Sequence, residues 1–146
     1  YNGFPNMART GGPWEDQSRD WKIPAADGEY VAAWTVGGKG LWVNTFMDGT
    51  TRYFDLSNPE APKEIYSKKT GKQVNMVSQS WDGKRVYITS SLLANWDKKG
   101  EDNEQFLRAF HWDGKELKPA FEVDFTKEKL GRAHHMKFSA KPAGKS

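Results

Sequence analysis

The sequence predicts an all-β protein, and within that class two four-stranded blades of a β-propeller. Three observations carry the prediction. Short runs rich in aromatic and β-branched residues alternate with turn residues from position 29 to position 125. Aromatic residues make up 14 % of the chain, with seven tryptophans, while apolar residues reach only 36 %; that balance suits sheets better than helical bundles. The runs also repeat. Gly38-Lys39-Gly40-Leu41-Trp42 matches Gly83-Lys84-Arg85-Val86-Tyr87, 45 residues later, and a unit of about 45 residues with four strands is the signature of a propeller blade.

Residues 1–28 read as an irregular arm, punctuated by Gly3, Pro5, Gly11, Gly12, Pro13, Pro24 and Gly28. Trp14 and Trp21 would pin it to a neighbouring surface. Residues 29–70 form the first blade: EYVAAWTV (29–36), LWVNTF (41–46), TTRYFDLS (50–57) and KEIYSK (63–68) are four strands, divided by the turns at Gly37-Gly38-Lys39-Gly40, Asp48-Gly49 and Asn58-Pro59. Residues 71–126 form the second: NMVSQS (75–80), RVYITSS (85–91), QFLRAFHW (105–112) and KPAFEVDF (118–125). Arg52-Tyr53-Phe54 matches Arg108-Ala109-Phe110 at an offset of 56. The offset grows because a loop, set at 92–104, is inserted between the second and third strands. Residues 127–146 supply a ring-closing strand, HHMKF (134–138), and a tail.

Two blades cannot close a ring, since at least four are needed. The missing blades are expected from the same polypeptide in preference to other chains, and homo-oligomerisation stays open. The chain opens on Tyr1 instead of methionine, which suggests a processed or partial chain.

Other bulk features narrow the function. Net charge is +3 with both signs interspersed, and the Lys pairs at 68–69 and 98–99 read as solvated turn residues, not a nucleic-acid footprint. The chain has no cysteine, so disulfides, zinc-thiolate sites and cysteine nucleophiles are excluded within it. No apolar stretch approaches the roughly 18 residues of a membrane span. No Ser-His-Asp order or HExxH pattern is present. Gly37-Gly38-Lys39-Gly40 joins two strands and opens no helix, which removes a phosphate-loop reading.

Three histidines remain, and His134 and His135 stand side by side with Met136 next. Imidazole is a good copper ligand and a thioether suits the reduced metal. In a strand, His134 and Met136 share one face while His135 points to the other; a bend at the strand start would bring both histidines inward. One or two donors do not make a copper site, so further ligands must come from elsewhere. Asn75 and Met76 open a first strand, the strand that lines a propeller's channel, and are weaker candidates for contact with substrate or channel water. His111 lies in an outer strand and reads as a partly exposed strand residue. Trp42, Tyr87, Phe54 and Phe110 occupy repeat-equivalent positions and read as inter-blade core. Glu101, Asp102 and Glu104 read as a solvated loop, Asp124 as a turn or strand-end residue, and Asp48-Gly49 as a hairpin turn.

NMVSQSWDGKRVYITSSLLANWDKKGE followed by FEVDFTKEKLGRAHHMKF resembles the C-terminal part of the selenium-binding protein family, which includes the methanethiol oxidases. LWVNTFMDGTTRYFDLSNPEAP resembles the preceding blade. The likeness runs over residues 39–138 and is greatest to bacterial methanethiol oxidases. It implies a seven-bladed propeller of which this chain supplies the last two four-stranded blades and the closing segment, and oxidation of methanethiol, a small thiol, by oxygen and water to formaldehyde, hydrogen sulfide and hydrogen peroxide, with copper as the metal. It places His134 on a histidine of the family's C-terminal motif, in Ala133-His134. It departs from the animal members at Asp48, where they carry a histidine before the glycine. Family members occur in bacterial periplasm and animal cytosol, and the bacterial likeness favours the periplasm. The alternative is a noncatalytic propeller that binds selenium or docks a protein partner.

Overall fold

The computed structural model describes residues 30–34, 38–46, 48–90, 104–136 and 138–139. Eight strands follow in order: β1 (Tyr30–Trp34), β2 (Gly40–Thr45), β3 (Thr50–Asp55), β4 (Lys63–Lys69), β5 (Val74–Gln79), β6 (Arg85–Ser90), β7 (Phe106–Trp112) and β8 (Leu117–Asp124). They build two sheets, β1-β2-β3-β4 and β5-β6-β7-β8, each pairing neighbours in chain order. All six pairings are antiparallel. These are two blades of a β-propeller, as the 45-residue repeat predicts. The arm at 1–28, Glu101, Asp102 and the Lys98-Lys99 pair lie outside the described residues.

The turn chemistry sets the hairpins. Gly49 has φ +68°, a conformation glycine reaches without steric cost. A side chain there would also run into the Gly71 carbonyl, because the β2–β3 turn packs on the link between the blades. Thr70 N donates to Gly49 O at 3.0 Å across that contact. Asp48 accepts hydrogen bonds from Thr45 Oγ1 and from Thr50 N. Asp82 and Asp113 repeat the device, accepting from Lys84 N at 3.0 Å and Lys115 N at 2.9 Å. Asp124 fixes the turn after β8 by accepting from Lys127 N at 2.9 Å.

The two sheets pack through one shared core. Trp42 of β2 enters a cluster of Val74, Val77, Val86, Ile88, Phe106, Phe110 and Leu117. In β2 the side chains alternate between two joints. Trp42 and Asn44 turn to the second blade, while Leu41 and Val43 join Phe54 and Leu56 in a separate buried cluster. The second blade alternates likewise: Val86 and Ile88 face the first blade, and Tyr87 meets Phe121 and Phe138 on its other side. The four expected core residues thus divide among three packing surfaces instead of filling one, because positions 42 and 87 face the next unit and positions 54 and 110 face the previous one.

Charge is also built in. Arg52 reaches Asp48 at 2.6 Å and Glu64 at 3.2 Å. Lys68 is no turn residue. It lies in β4 with its ammonium on Leu117 O at 2.7 Å, over the Phe110 ring.

Two predictions follow from this packing. Asn44→Leu keeps the branched outline of the side chain but removes the two donations to Asn75 O and Met76 O and the acceptor of the Thr51 hydroxyl, and should cost the intact protein about 2 kcal/mol in chemical denaturation. A loss near zero would show that the joint does not need the amide. Burial acts to raise the Asp48 pKa, but hydrogen bonds from Thr45, Arg52 and Thr50 together outweigh it and leave the carboxyl below its ordinary value of 3.8. Its stabilisation is therefore present above that value and is lost as pH falls through the lowered pKa. The stability gap between wild type and Asp48→Asn should be widest at neutral pH and close in strong acid; a gap independent of pH contradicts this role.

Candidate functional site

The inner strand β5 is the centre of the candidate site. β1 and β2 of the first blade pack against one side of it. Asn44 secures that joint: its amide nitrogen donates to Asn75 O at 3.0 Å and Met76 O at 3.2 Å. Thr51 Oγ1 in turn donates to Asn44 Oδ1 at 2.6 Å, which fixes the amide's orientation. Asn75 is buried and Met76 half-buried. Both carbonyls thus serve the joint.

On the other side of the second blade the same device recurs. Thr89 is the repeat equivalent of Asn44, 45 residues on, and its hydroxyl donates to His134 O. His134 therefore stands, one unit further round, where Asn75 stands in the second blade. Two more side chains hold the same segment by its carbonyls. Ser78 Oγ donates to Met136 O at 2.7 Å, and Trp81 Nε1 donates to Ser139 O at 2.9 Å. Ala133, buried, packs the segment down just before the histidines.

Residues 134–136 and 138 do not form the expected strand. The physical reason is partnership. An inner strand takes its ladder from the second strand of its own blade, as β1 does from β2 and β5 from β6. Among the described residues, 134–136 and 138 pair with no strand in this way. The chain is nonetheless extended in its spacing, because the carbonyls of His134 and Met136, two residues apart, both turn to the second blade.

His135 differs from its neighbour. Its Nε2 lies 3.1 Å from Ser78 Oγ. That hydroxyl already donates its one proton to Met136 O, so the imidazole N–H is the donor in this contact. His134 and His135 are exposed and Met136 half-buried. Among the described residues no group of three or more His, Asp or Glu side chains is placed to hold a metal ion. The donor types suit copper, but their number falls short of a site. His111 is exposed on the outer strand β7. Asp48 is engaged with Arg52, Thr45 and Thr50.

Sequence reasoning did not single out Asn44, Thr89 and Ser78, which position the segment. A signal was present. Asn44 and Thr89 are polar residues at equivalent places, each directly after the apolar run of its second strand, Leu41–Val43 and Val86–Ile88. No described helix is long and apolar enough to cross a membrane.

Removing the Ser78 hydroxyl should speed amide hydrogen exchange over residues 134–139 of the intact protein by roughly fivefold, the effect of losing about 1 kcal/mol. Unchanged exchange in Ser78→Ala would mean that the segment is held by something else.

Comparison with known proteins adds to this geometry. No family model matches the chain. The methanethiol oxidase of Hyphomicrobium sp is 70 % identical over 107 residues, which cover 73 % of this chain and 25 % of that protein. The methanethiol oxidase of Ruegeria pomeroyi is 64 % identical over 100 residues, covering 68 % of this chain and 23 % of that protein. The chain spans about a quarter of the length of these curated relatives. A solved structure of a hypothetical selenium-binding protein from Sulfolobus tokodaii superposes with a TM-score of 0.56 at 24 % identity, over 65 % of this chain and 25 % of that one. This last likeness concerns the fold.

Proposed function

Starting from a chain that belongs to the methanethiol oxidase and selenium-binding protein family, we propose that it supplies two adjacent blades, and the start of the next inner strand, to a seven-bladed methanethiol oxidase. The identity with the two bacterial methanethiol oxidases carries this reading. The reaction takes one methanethiol, one oxygen and one water to formaldehyde, hydrogen sulfide and hydrogen peroxide, and it balances in every atom. The bacterial relatives make the periplasm the favoured compartment.

The chain's own part is to build one sector of the channel wall. β5 and the 134–139 segment lie side by side, as adjacent inner positions of the ring. Thr89 and Ser78 hold the segment by its main chain, which leaves the His134 ring exposed and uncommitted to either donor. Imidazole there is the donor this chain offers a copper ion, with Met136 the next candidate. His135 is directed to Ser78. The remaining ligands would lie in parts of the protein beyond this chain. Copper, when bound, would supply electron exchange with oxygen.

His134→Ala in the complete protein should lower bound copper and methanethiol turnover together, by roughly 10–100-fold or more. Unchanged copper and rate would remove His134 from the site. A complete protein that binds no transition metal at all would favour the noncatalytic scaffold.

A further inference from the structure

One feature of the blade joint exceeds what packing asks for. Trp42, Tyr53 and Tyr66 are direct cross-strand partners, on β2, β3 and β4. They form a radial row from the second strand to the outermost one. Trp112 of the second blade lies against all three, with ring centroids 4.8 Å from Trp42, 5.3 Å from Tyr53 and 5.3 Å from Tyr66. Trp42 and Tyr53 are themselves 4.7 Å apart. All four rings are of the two oxidisable kinds, indole and phenol. The same row in the second blade reads Tyr87, Ala109 and Phe121, so it is broken there by a methyl group and ends on a ring that resists oxidation.

The ends of the row differ chemically. Trp42 is fully buried, and among the described residues its indole N–H meets no hydrogen-bond partner. An indole that loses an electron in that setting has no base to take its proton, so the hole stays mobile. Tyr66 is half-buried at the rim, and its phenolic oxygen accepts from Leu117 N at 2.9 Å. Its own proton is not spent in that bond and can leave to water. Gly40 keeps the middle of the row tight, because any side chain there would collide with the Tyr53 hydroxyl.

We infer that Trp42, Tyr53, Trp112 and Tyr66 form an electron relay that carries oxidising equivalents from the inner part of the blade to its rim. The role rests on the oxidase reading, which supplies the oxidant: a one-electron oxidant derived from oxygen or peroxide. That oxidant takes one electron from Trp42. Trp42 is refilled by Tyr53 or Trp112, and these by Tyr66, which releases one proton to water. A small thiol or other external reductant returns one electron and one proton to the Tyr66 radical. The net change is one electron moved from the external reductant to the oxidant and one proton moved from the reductant to water.

Photochemistry tests the relay without using the enzyme's activity. Ile65, half-exposed beside Tyr66, is replaced by cysteine in the intact protein. This chain has no cysteine of its own, and any elsewhere is changed to serine. A ruthenium photo-oxidant on that cysteine is flashed, and the indole radical is followed by transient absorption. Replacing Trp42 and Trp112 together by phenylalanine should lower the indole-radical yield at least tenfold, while Trp81→Phe, outside the row, leaves it unchanged. A yield that survives the double replacement, or that falls with Trp81, overturns the relay. A single cooperative thermal unfolding transition in the phenylalanine variants, even at lower temperature, shows that the joint still folds. During methanethiol turnover, Tyr66→Phe should keep the initial rate and lose activity in fewer cycles. Equal survival with a working photochemical relay overturns the link to the oxidase and leaves the oxidase reading itself standing.

Discussion

A four-stranded blade has two apolar faces, and neither can be left in water. Everything else in this structure depends on that constraint. The first blade turns Trp42 and Asn44 to the second, and the second turns Tyr87 and Thr89 away from the first. The apolar residue supplies area and the polar residue supplies register. Trp42 would bury itself against many arrangements of valine and phenylalanine, because the hydrophobic effect has no direction. Asn44 would not, because its amide must meet the Asn75 and Met76 carbonyls while it accepts from Thr51. The same division of labour at Tyr87 and Thr89 brings His134 to its place. The position of the candidate ligand is thus a consequence of blade packing, one repeat further on.

The strands were legible because their boundaries are written in turn chemistry. Asp48-Gly49, Asp82-Gly83 and Asp113-Gly114 each need a left-handed glycine and an aspartate that binds the backbone beyond it. Both features show in the residue types alone. The repeat was legible for a related reason: equivalent positions face equivalent neighbours, so Leu41 and Val86, or Trp42 and Tyr87, keep their character. Which neighbour each would face was not legible, since alternation gives two faces and no address. Lys68 was misread for the same cause. A lysine beside another lysine looks solvated until a carbonyl and an aromatic ring from the second blade are found beneath it.

The site was legible only in part. His134, His135 and Met136 show their chemistry in their side chains, and the period-two spacing of the segment survives in the carbonyls that meet Thr89 and Ser78. The strand itself does not appear: a ladder is a property of two segments, and no described strand pairs with this one. The proposed copper site could not be read for a parallel reason. Its donors would converge only where several blades meet, and a ring's centre belongs to no single blade.

The account's central claim is that residues 134–139 enter the place of the next inner strand, beside β5, and carry His134 to the channel. A crystal structure of the intact protein tests this most directly. The account predicts that residues 134–138 gain a backbone ladder with a neighbouring second strand, that Thr89 keeps its bond to the His134 carbonyl, and that the His134 ring borders the channel. A structure with that ladder absent and His134 on the outer wall, facing solvent, would contradict it.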